Sequence, residues 1–293
     1  MQKLAAMLNH RSSKISSPLF PGLFTCFLCL SFLLQAQPYV DPIQVRYTYA
    51  FRNSNAYATP FTHLYAGSDI PLKLKDRTYL LLSPFYENWS IDSASKNEIV
   101  PTVHSIAFPI GIMLPVSDKW SVNIMPIIRT NGEQLFKDKT MQVGGVSFAS
   151  YAVKPDMKFR LGAYMNSDFF GFFFWPLFGA DWRLGPKDYA FGLLPGRFTY
   201  EHQWNKSFYG GITFRALTNS YRLTDGNFVR IDDNQVSLYL DIYPVKKWCF
   251  TLEPGYGISR KIRMGAPDKS YLWERNMGDG FFIKLSTAYR IRL

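Results

Sequence analysis

The sequence predicts an all-β fold: a closed antiparallel transmembrane β-barrel of roughly 12–14 strands, with 14 favoured, behind an export signal. Three observations predict it. Apolar and polar residues alternate with period two through most of the chain beyond residue 40, which places successive side chains on opposite faces of strands. Aromatic residues make up 17% of the chain while mean hydropathy is only −0.10. A helical membrane protein would carry apolar runs of about 20 residues, whereas a barrel wall alternates lipid-facing and lumen-facing positions and averages near neutral. Beyond the signal the only cysteine is Cys249. An exported chain with no disulfide to staple it must be held by its hydrogen-bond ladder, and a closed barrel completes that ladder.

Residues 1–36 read as a secretory signal. Lys3, Arg11 and Lys14 form a basic, acid-free start, Leu19 to Leu34 is the apolar stretch, and Gln35-Ala36-Gln37 offers cleavage after Ala36. An uncleaved anchor helix is the alternative, and Pro18 and Pro21 argue against it. Residues 37–293 are then one barrel domain. Losing three of the 33 basic residues with the signal still leaves an excess over the 22 acidic ones. That excess suits a basic lumen or contact with lipopolysaccharide. No zinc-finger or RNP-like pattern accompanies it, so nucleic acid is not expected as a partner.

The first predicted strand is Pro42 to Arg52, with Val45, Tyr47, Tyr49 and Phe51 on one face and Gln44, Arg46, Thr48 and Ala50 on the other. After the connection Asn53 to Pro60 come Phe61 to Leu74 and, across Lys75-Asp76, Arg77 to Ile91. Asp92 to Asn97 leads to Val100 to Leu114. The turn Ser117-Asp118-Lys119 leads to Trp120 to Arg129, and the loop Asn131 to Lys139 to Met141 to Val153. Met157 to Asn166 follows Lys154-Pro155-Asp156, then Phe172 to Leu184. Beyond the turn at Gly185 to Asp188, Tyr189 to Trp204 is interrupted by Pro195-Gly196. Ser207 to Leu223, a loop Thr224 to Asn234, Gln235 to Val245, Trp248 to Ser259, a long basic loop Arg260 to Asp279 and Phe281 to Leu293 complete the chain. Seven prolines inside these segments, Pro71, Pro84, Pro109, Pro126, Pro176, Pro244 and Pro254, argue for bulges or edges, since proline gives no ladder donor.

Parity favours fourteen strands, with twelve the count if one of these segments is not a span. Bacterial barrels have both ends on the periplasmic side, joined by short turns there and longer loops outside. The turns at Gly185 and Asn205-Lys206 are both short. They share a side only if Tyr189 to Trp204 runs out and back, turning at Pro195-Gly196, which makes fourteen strands. The two halves are shorter than the ~9–11 residues that a span needs. Trp89, Trp120, Trp182, Trp204, Trp248 and Trp273 fall near strand ends, as an interfacial girdle requires. A soluble β-sandwich would not need that pattern.

The run FGLLPGRFTYEHQWNKSFYGGITFRALTNSYRL, Phe191 to Leu223, preceded by PLFGADWRLGPKDY, resembles a Bacteroidetes-type family of outer-membrane β-barrels defined as a domain of unknown function. The resemblance implies the fold and the cell outer membrane, with outer-membrane lipid, lipopolysaccharide and the barrel assembly machinery as partners. It implies no catalytic residues. The terminal Leu293 departs from the aromatic residue with which such barrels usually end.

On this register Arg46, Arg129, Arg160, Arg183, Arg197, Arg215 and Lys284 point inward as a basic cluster, with Lys158, Arg290 and Arg292 beside them. Asp181, Glu201, Asp241 and Glu253 oppose them. Two readings follow: a ladder of salt bridges that stiffens a narrow barrel, or a basic channel for small anionic solutes. A rim-located lipid-modifying hydrolase is the alternative from another class. It would use His63 or His104 with Ser83, Ser90, Ser105 or Asp69. A surface binding role for Arg260 to Asp279 is the third. The histidines lack metal-ligand spacing, and the glycine pairs lack the Lys-Ser/Thr of a phosphate loop, so no metal or cofactor is expected.

Overall fold

The computed structural model describes residues 38–52, 59–92 and 100–293; the signal segment and parts of two connections lie outside the described residues. Fourteen antiparallel strands close into one barrel. They are β1 (Tyr39–Ala50), β2 (Phe61–Gly67 continuing as Ile70–Lys75), β3 (Thr78–Leu82 continuing as Phe85–Ile91), β4 (Val103–Pro115), β5 (Trp120–Gly132), β6 (Met141–Lys154) and β7 (Met157–Asp168). The rest are β8 (Gly171–Arg183), β9 (Asp188–Leu194), β10 (Arg197–Gln203), β11 (Phe208–Arg222), β12 (Phe228–Val245), β13 (Trp248–Gly265) and β14 (Tyr271–Asn276 continuing as Gly280–Arg292). Each strand pairs with its sequence neighbour, and β1 pairs with β14 from Tyr39↔Arg292 to Ala50↔Phe282 to close the ring. Closure of the ring pairs the strands' backbone groups with one another instead of with water, which is what lets a sheet cross lipid.

The wall is inside out relative to a soluble protein. Ile43, Val45, Tyr47 and Tyr49 on β1, Phe108 and Ile110 on β4, Phe159 and Leu161 on β7, and Phe250 and Leu252 on β13 are exposed. The alternating positions carry buried charges: Glu87, Arg129, Asp181, Glu201, Asp241, Glu253, Lys284 and Arg290. An outward apolar band of this extent is a lipid-facing surface. Trp120, Trp182, Trp204 and Trp248 stand exposed at the short-turn end, where an aromatic girdle belongs. Trp89 departs from the girdle: it is 2% exposed and stacks on His63 at 3.9 Å inside the barrel.

The hairpin turn at Pro195-Gly196 is present, and its two strands are seven residues each. The expectation of bulges or edges holds for two prolines, Pro84 in the break of β3 and Pro244 at a register shift between β12 and β13, whereas Pro71, Pro109, Pro126, Pro176 and Pro254 lie within strands paired in register. Two predicted loops are corrected. Thr224 to Asn234 is largely strand, because β12 begins at Phe228 and pairs with β11 and β13 from there. Arg260 to Asp279 is mostly a hairpin, Lys261 to Gly265 against Tyr271 to Asn276. Their charges had masked the alternation, in which Val229, Ile231, Ile262 and Met264 are buried while Arg230, Asp232, Arg263 and Glu274 form a chain of ion pairs.

This extension makes β12 and β13 18 residues long, so this side rises beyond the lipid-facing band at the loop end. There it folds over the lumen. Phe61, Trp89, Val103, Tyr221, Val229, Ile231, Ile262, Met277 and Phe282 form an apolar core that caps the loop end of the barrel.

Candidate functional site

Below the apolar cap lies a polar layer centred on Glu87. It pairs with His63 at 3.0 Å and accepts from Asn219 and Tyr221, each at 2.8 Å. Arg129 bonds Asn219 and Gln142 at 2.8 Å each and lies 3.5 Å from Asp168. Ser220 donates to Asp168 at 2.8 Å, and its carbonyl accepts from Asn131. The upper part of β11 thus leans against β5, β6 and β7, and Arg222 meets Gly132 in a bridge across the barrel. Cap and polar layer together place packed side chains across the loop end of the lumen.

The remaining lumen is divided between two sides. On the side built from β10 to β14 and β1, charge fills the space. Arg290 makes two bonds to Asp41, at 2.6 and 2.8 Å, and a third to Asp241. Arg292 forks onto Glu201 at 2.7 and 3.2 Å and bonds Tyr243. Lys284 pairs with Glu253 at 2.6 Å, and Ser237 donates to the same carboxylate. Tyr39 closes the layer under Arg290, 3.7 Å from ring centre to guanidinium.

On the side built from β2 to β9 the lumen is hollow. A cavity of about 360 Å³ is lined by Arg77, Ser117, Asp118 and Lys119 at the short-turn end and by Asn123, Val146, Phe148, Lys158, Arg160 and Asp181 above them. A second, of about 420 Å³, begins at the same Val146, Arg160 and Asp181 and is lined further up by Ile127, Tyr164, Leu177, Phe191, Gly196 and Arg197. The two cavities share these residues as a common wall and follow one another from the short turns to the tip of the β9–β10 hairpin.

The residues singled out from sequence divide accordingly. Arg160 ion-pairs with Asp181 on the wall that the two cavities share. Arg129 belongs to the polar layer. Glu201, Asp241, Glu253 and Lys284 belong to the braced side. Arg183 reaches the short-turn rim, where it donates to the carbonyls of Gly185 and Pro186 at 3.3 Å each. Arg46, Arg197 and Arg215 converge on a crevice of about 30 Å³, also lined by Tyr39, Tyr239 and Glu253. Among the described residues none of these three arginines has a carboxylate within ion-pair distance. Arg215 is buried with its Nε unbonded, and Arg197 donates only to the Tyr39 hydroxyl, at 3.3 Å.

Several lumenal acids were not singled out from sequence: Asp41, Glu87, Asp168 and Asp233, the last paired with Arg260 at 2.8 Å. Glu87 lies two residues from Trp89 and four from Ile91, on the face they share, so alternation alone could have placed it inside. Asp41 precedes the first regular alternation and enters the lumen through a bulge between Val40 and Ile43, which sequence does not signal. The hydrolase candidates are not brought together: His63 and Ser105 are buried away from the three cavities, whereas Ser83 and Asp69 line the 360 Å³ cavity with neither histidine beside them. His104 bonds Tyr86 at 2.9 Å.

No family model and no curated protein matches the sequence. Among solved structures, the chain is similar to the NanC porin at 9% identity, with a TM-score of 0.41, covering 85% of this chain and 100% of that one. It is similar to an outer-membrane channel from Pseudomonas putida F1 at 9% identity and a TM-score of 0.47, covering 87% and 97%. The translocator domain of the autotransporter NalP from Neisseria meningitidis has 11% identity and a TM-score of 0.37, over 92% and 94%. At this distance the likeness extends to the barrel architecture and no further.

Proposed function

We propose that the protein is a narrow passive channel of the cell outer membrane with a basic lumen, closed at its outer end in the state described. The observation that carries this reading is the pair of cavities on the hollow side, which share Val146, Arg160 and Asp181 and begin at the short turns, beneath a loop end that carries the apolar cap. In the outer membrane the short turns face the periplasm, with lipopolysaccharide against the outer rim and the barrel assembly machinery as the agent of insertion. Lys158, Arg160 and Arg197 on these cavities, against Asp181, bias the lumen towards small anions, since basic groups in a low-dielectric passage attract them.

The test is conductance in planar bilayers. Wild-type protein is expected to be closed for most of the recording. The double variant Trp89→Ala/Tyr221→Ala removes the two side chains that tie cap to polar layer, and should conduct steadily with a reversal potential displaced towards the anion. Adding Val146→Trp should abolish that current. A double variant that keeps the heat-modifiable mobility of a folded barrel and yet stays silent overturns the reading.

A further inference from the structure

The two short strands leave part of the wall unbuilt. The β8–β9 ladder ends at Phe178↔Leu194 and the β10–β11 ladder at Arg197↔Arg215. Above the Pro195-Gly196 turn, β8 and β11 therefore face each other with two strands missing between them. At that level the missing strands correspond to three strand spacings, about 14 Å. The upper edge of β8, Gly171 to Leu177, is about 20 Å of chain at ~3.3 Å per residue. At the top the gap closes again. The Phe169 amide donates to Ser220 Oγ at 3.1 Å, Arg222 stacks on Phe169 at 4.4 Å, and Arg230 on Phe170 at 4.1 Å. The result is a framed window, with the β9–β10 hairpin as its sill.

Three further observations mark the window as an opening. The Arg183 amide donates to the carbonyl of Asp156, in the turn that leads into β7, so along β8 the even-numbered residues aim their backbone groups at the other side, which is unpaired above Phe178. One of these is Pro176, which has no N–H to leave unpaired there. Trp175, on the same face of β8 as the lumen-lining Leu177 and Asp181, is 44% exposed. The 420 Å³ cavity reaches the sill itself, at Leu193 and Gly196. Its walls there are apolar, made by Ile127, Val146, Tyr164, Leu177 and Phe191, and its polar end is Arg197, whose guanidinium donates to the Tyr39 hydroxyl and has no carboxylate within ion-pair distance.

We infer that this window admits a single-chain amphiphile with a monoanionic head, a long-chain carboxylate, from the membrane into the lumen, where Arg197 holds the head and the apolar wall holds the chain. The inference rests on the reading of the lumen as a conduit and names its cargo. A largely apolar chamber with Arg197 at its upper end and the mutually paired Arg160 and Asp181 at its lower end has the make-up and size of a small-molecule site. A planar guanidinium without a carboxylate of its own takes a carboxylate as a fork. The occupant's chain also covers strand edges that lipid alone would leave against unpaired backbone.

The experiment uses the full barrel in phosphatidylcholine vesicles, with palmitate and hexadecanol as paired probes. Wild-type protein should bind palmitate at least about tenfold more tightly than hexadecanol, a charge-assisted contact being worth on the order of 1.4 kcal/mol or more. Arg197→Gln should erase that preference while leaving hexadecanol binding in place, a pattern that a loosened fold does not produce. Leu217→Trp, on the β11 side of the window, should slow palmitate entry from vesicles by about tenfold at similar equilibrium affinity. Absence of palmitate binding, an unchanged preference in Arg197→Gln, or an unchanged entry rate in Leu217→Trp each overturns the inference. These readouts need no current, so an uncapped barrel that conducts without binding palmitate would sink this inference and leave the channel standing.

Discussion

On the side of the barrel made by β10 to β14 and β1, Arg290 serves two carboxylates and Arg292 a third, and the space between strands is full of bonded charge. On the side made by β2 to β9, a wall of the same alternating design encloses about 360 and 420 Å³ of open space. The difference lies in which residues alternate inward. β11 to β14 supply long charged side chains that meet across the lumen. β5 to β8 supply Met125, Ile127, Val146, Gly162, Leu177 and Gly179 between a few polar groups, too short or too apolar to meet anything. Amphipathic alternation builds a barrel wall either way; the length and charge of the inward residues decide whether the interior is a brace or a passage.

The largest expected effect breaks the brace. Arg290→Met strands Asp41 as a buried, unpaired carboxylate and leaves Asp241 only Arg292, at 3.7 Å, and a loss of about 3–5 kcal/mol is expected in urea unfolding of the lipid-reconstituted barrel. Removing both members of the Lys284–Glu253 pair, as Lys284→Met with Glu253→Leu, should cost much less than either change alone, because no charge is then left buried without its partner. A double variant no more stable than the worse single would show that the side is held by shape rather than by pairing. On the hollow side, Val146→Trp grows into empty space and should shift stability by no more than about 1 kcal/mol, below the usual cost of overpacking a filled core. Smallest of all, Lys261→Ala removes an exposed rim pair with Glu274 and should change stability by about 0.5 kcal/mol or less, checked in the same unfolding assay.

Much of the wall was legible in the sequence. The turn at Pro195-Gly196 could be reasoned from the shortness of its neighbours, because parity is a global constraint that local residues must obey. The outward face was equally legible wherever aromatic residues alternated with polar ones, as in β1. The cap was not. Trp89 and Tyr221 sit at strand ends, where composition alone cannot tell an interfacial aromatic from one turned into a core. The side of the lumen on which each arginine finds a partner was also hidden, because pairing depends on which residues face each other across the barrel: Arg290 and Asp41 are 249 positions apart. Asp41 itself lay outside the alternation that identified the others.

The seam between β1 and β14 sets the order of assembly. Tyr39 to Ala50 cannot complete its ladder until Phe282 to Arg292 has been synthesised. Until then the chain carries two open strand edges and a wide apolar face, a state in which each copy is a template for its neighbours. Closure of this barrel therefore waits on its last strand. A truncation within β14 should be lost to aggregation or proteolysis even though thirteen strands remain intact in sequence.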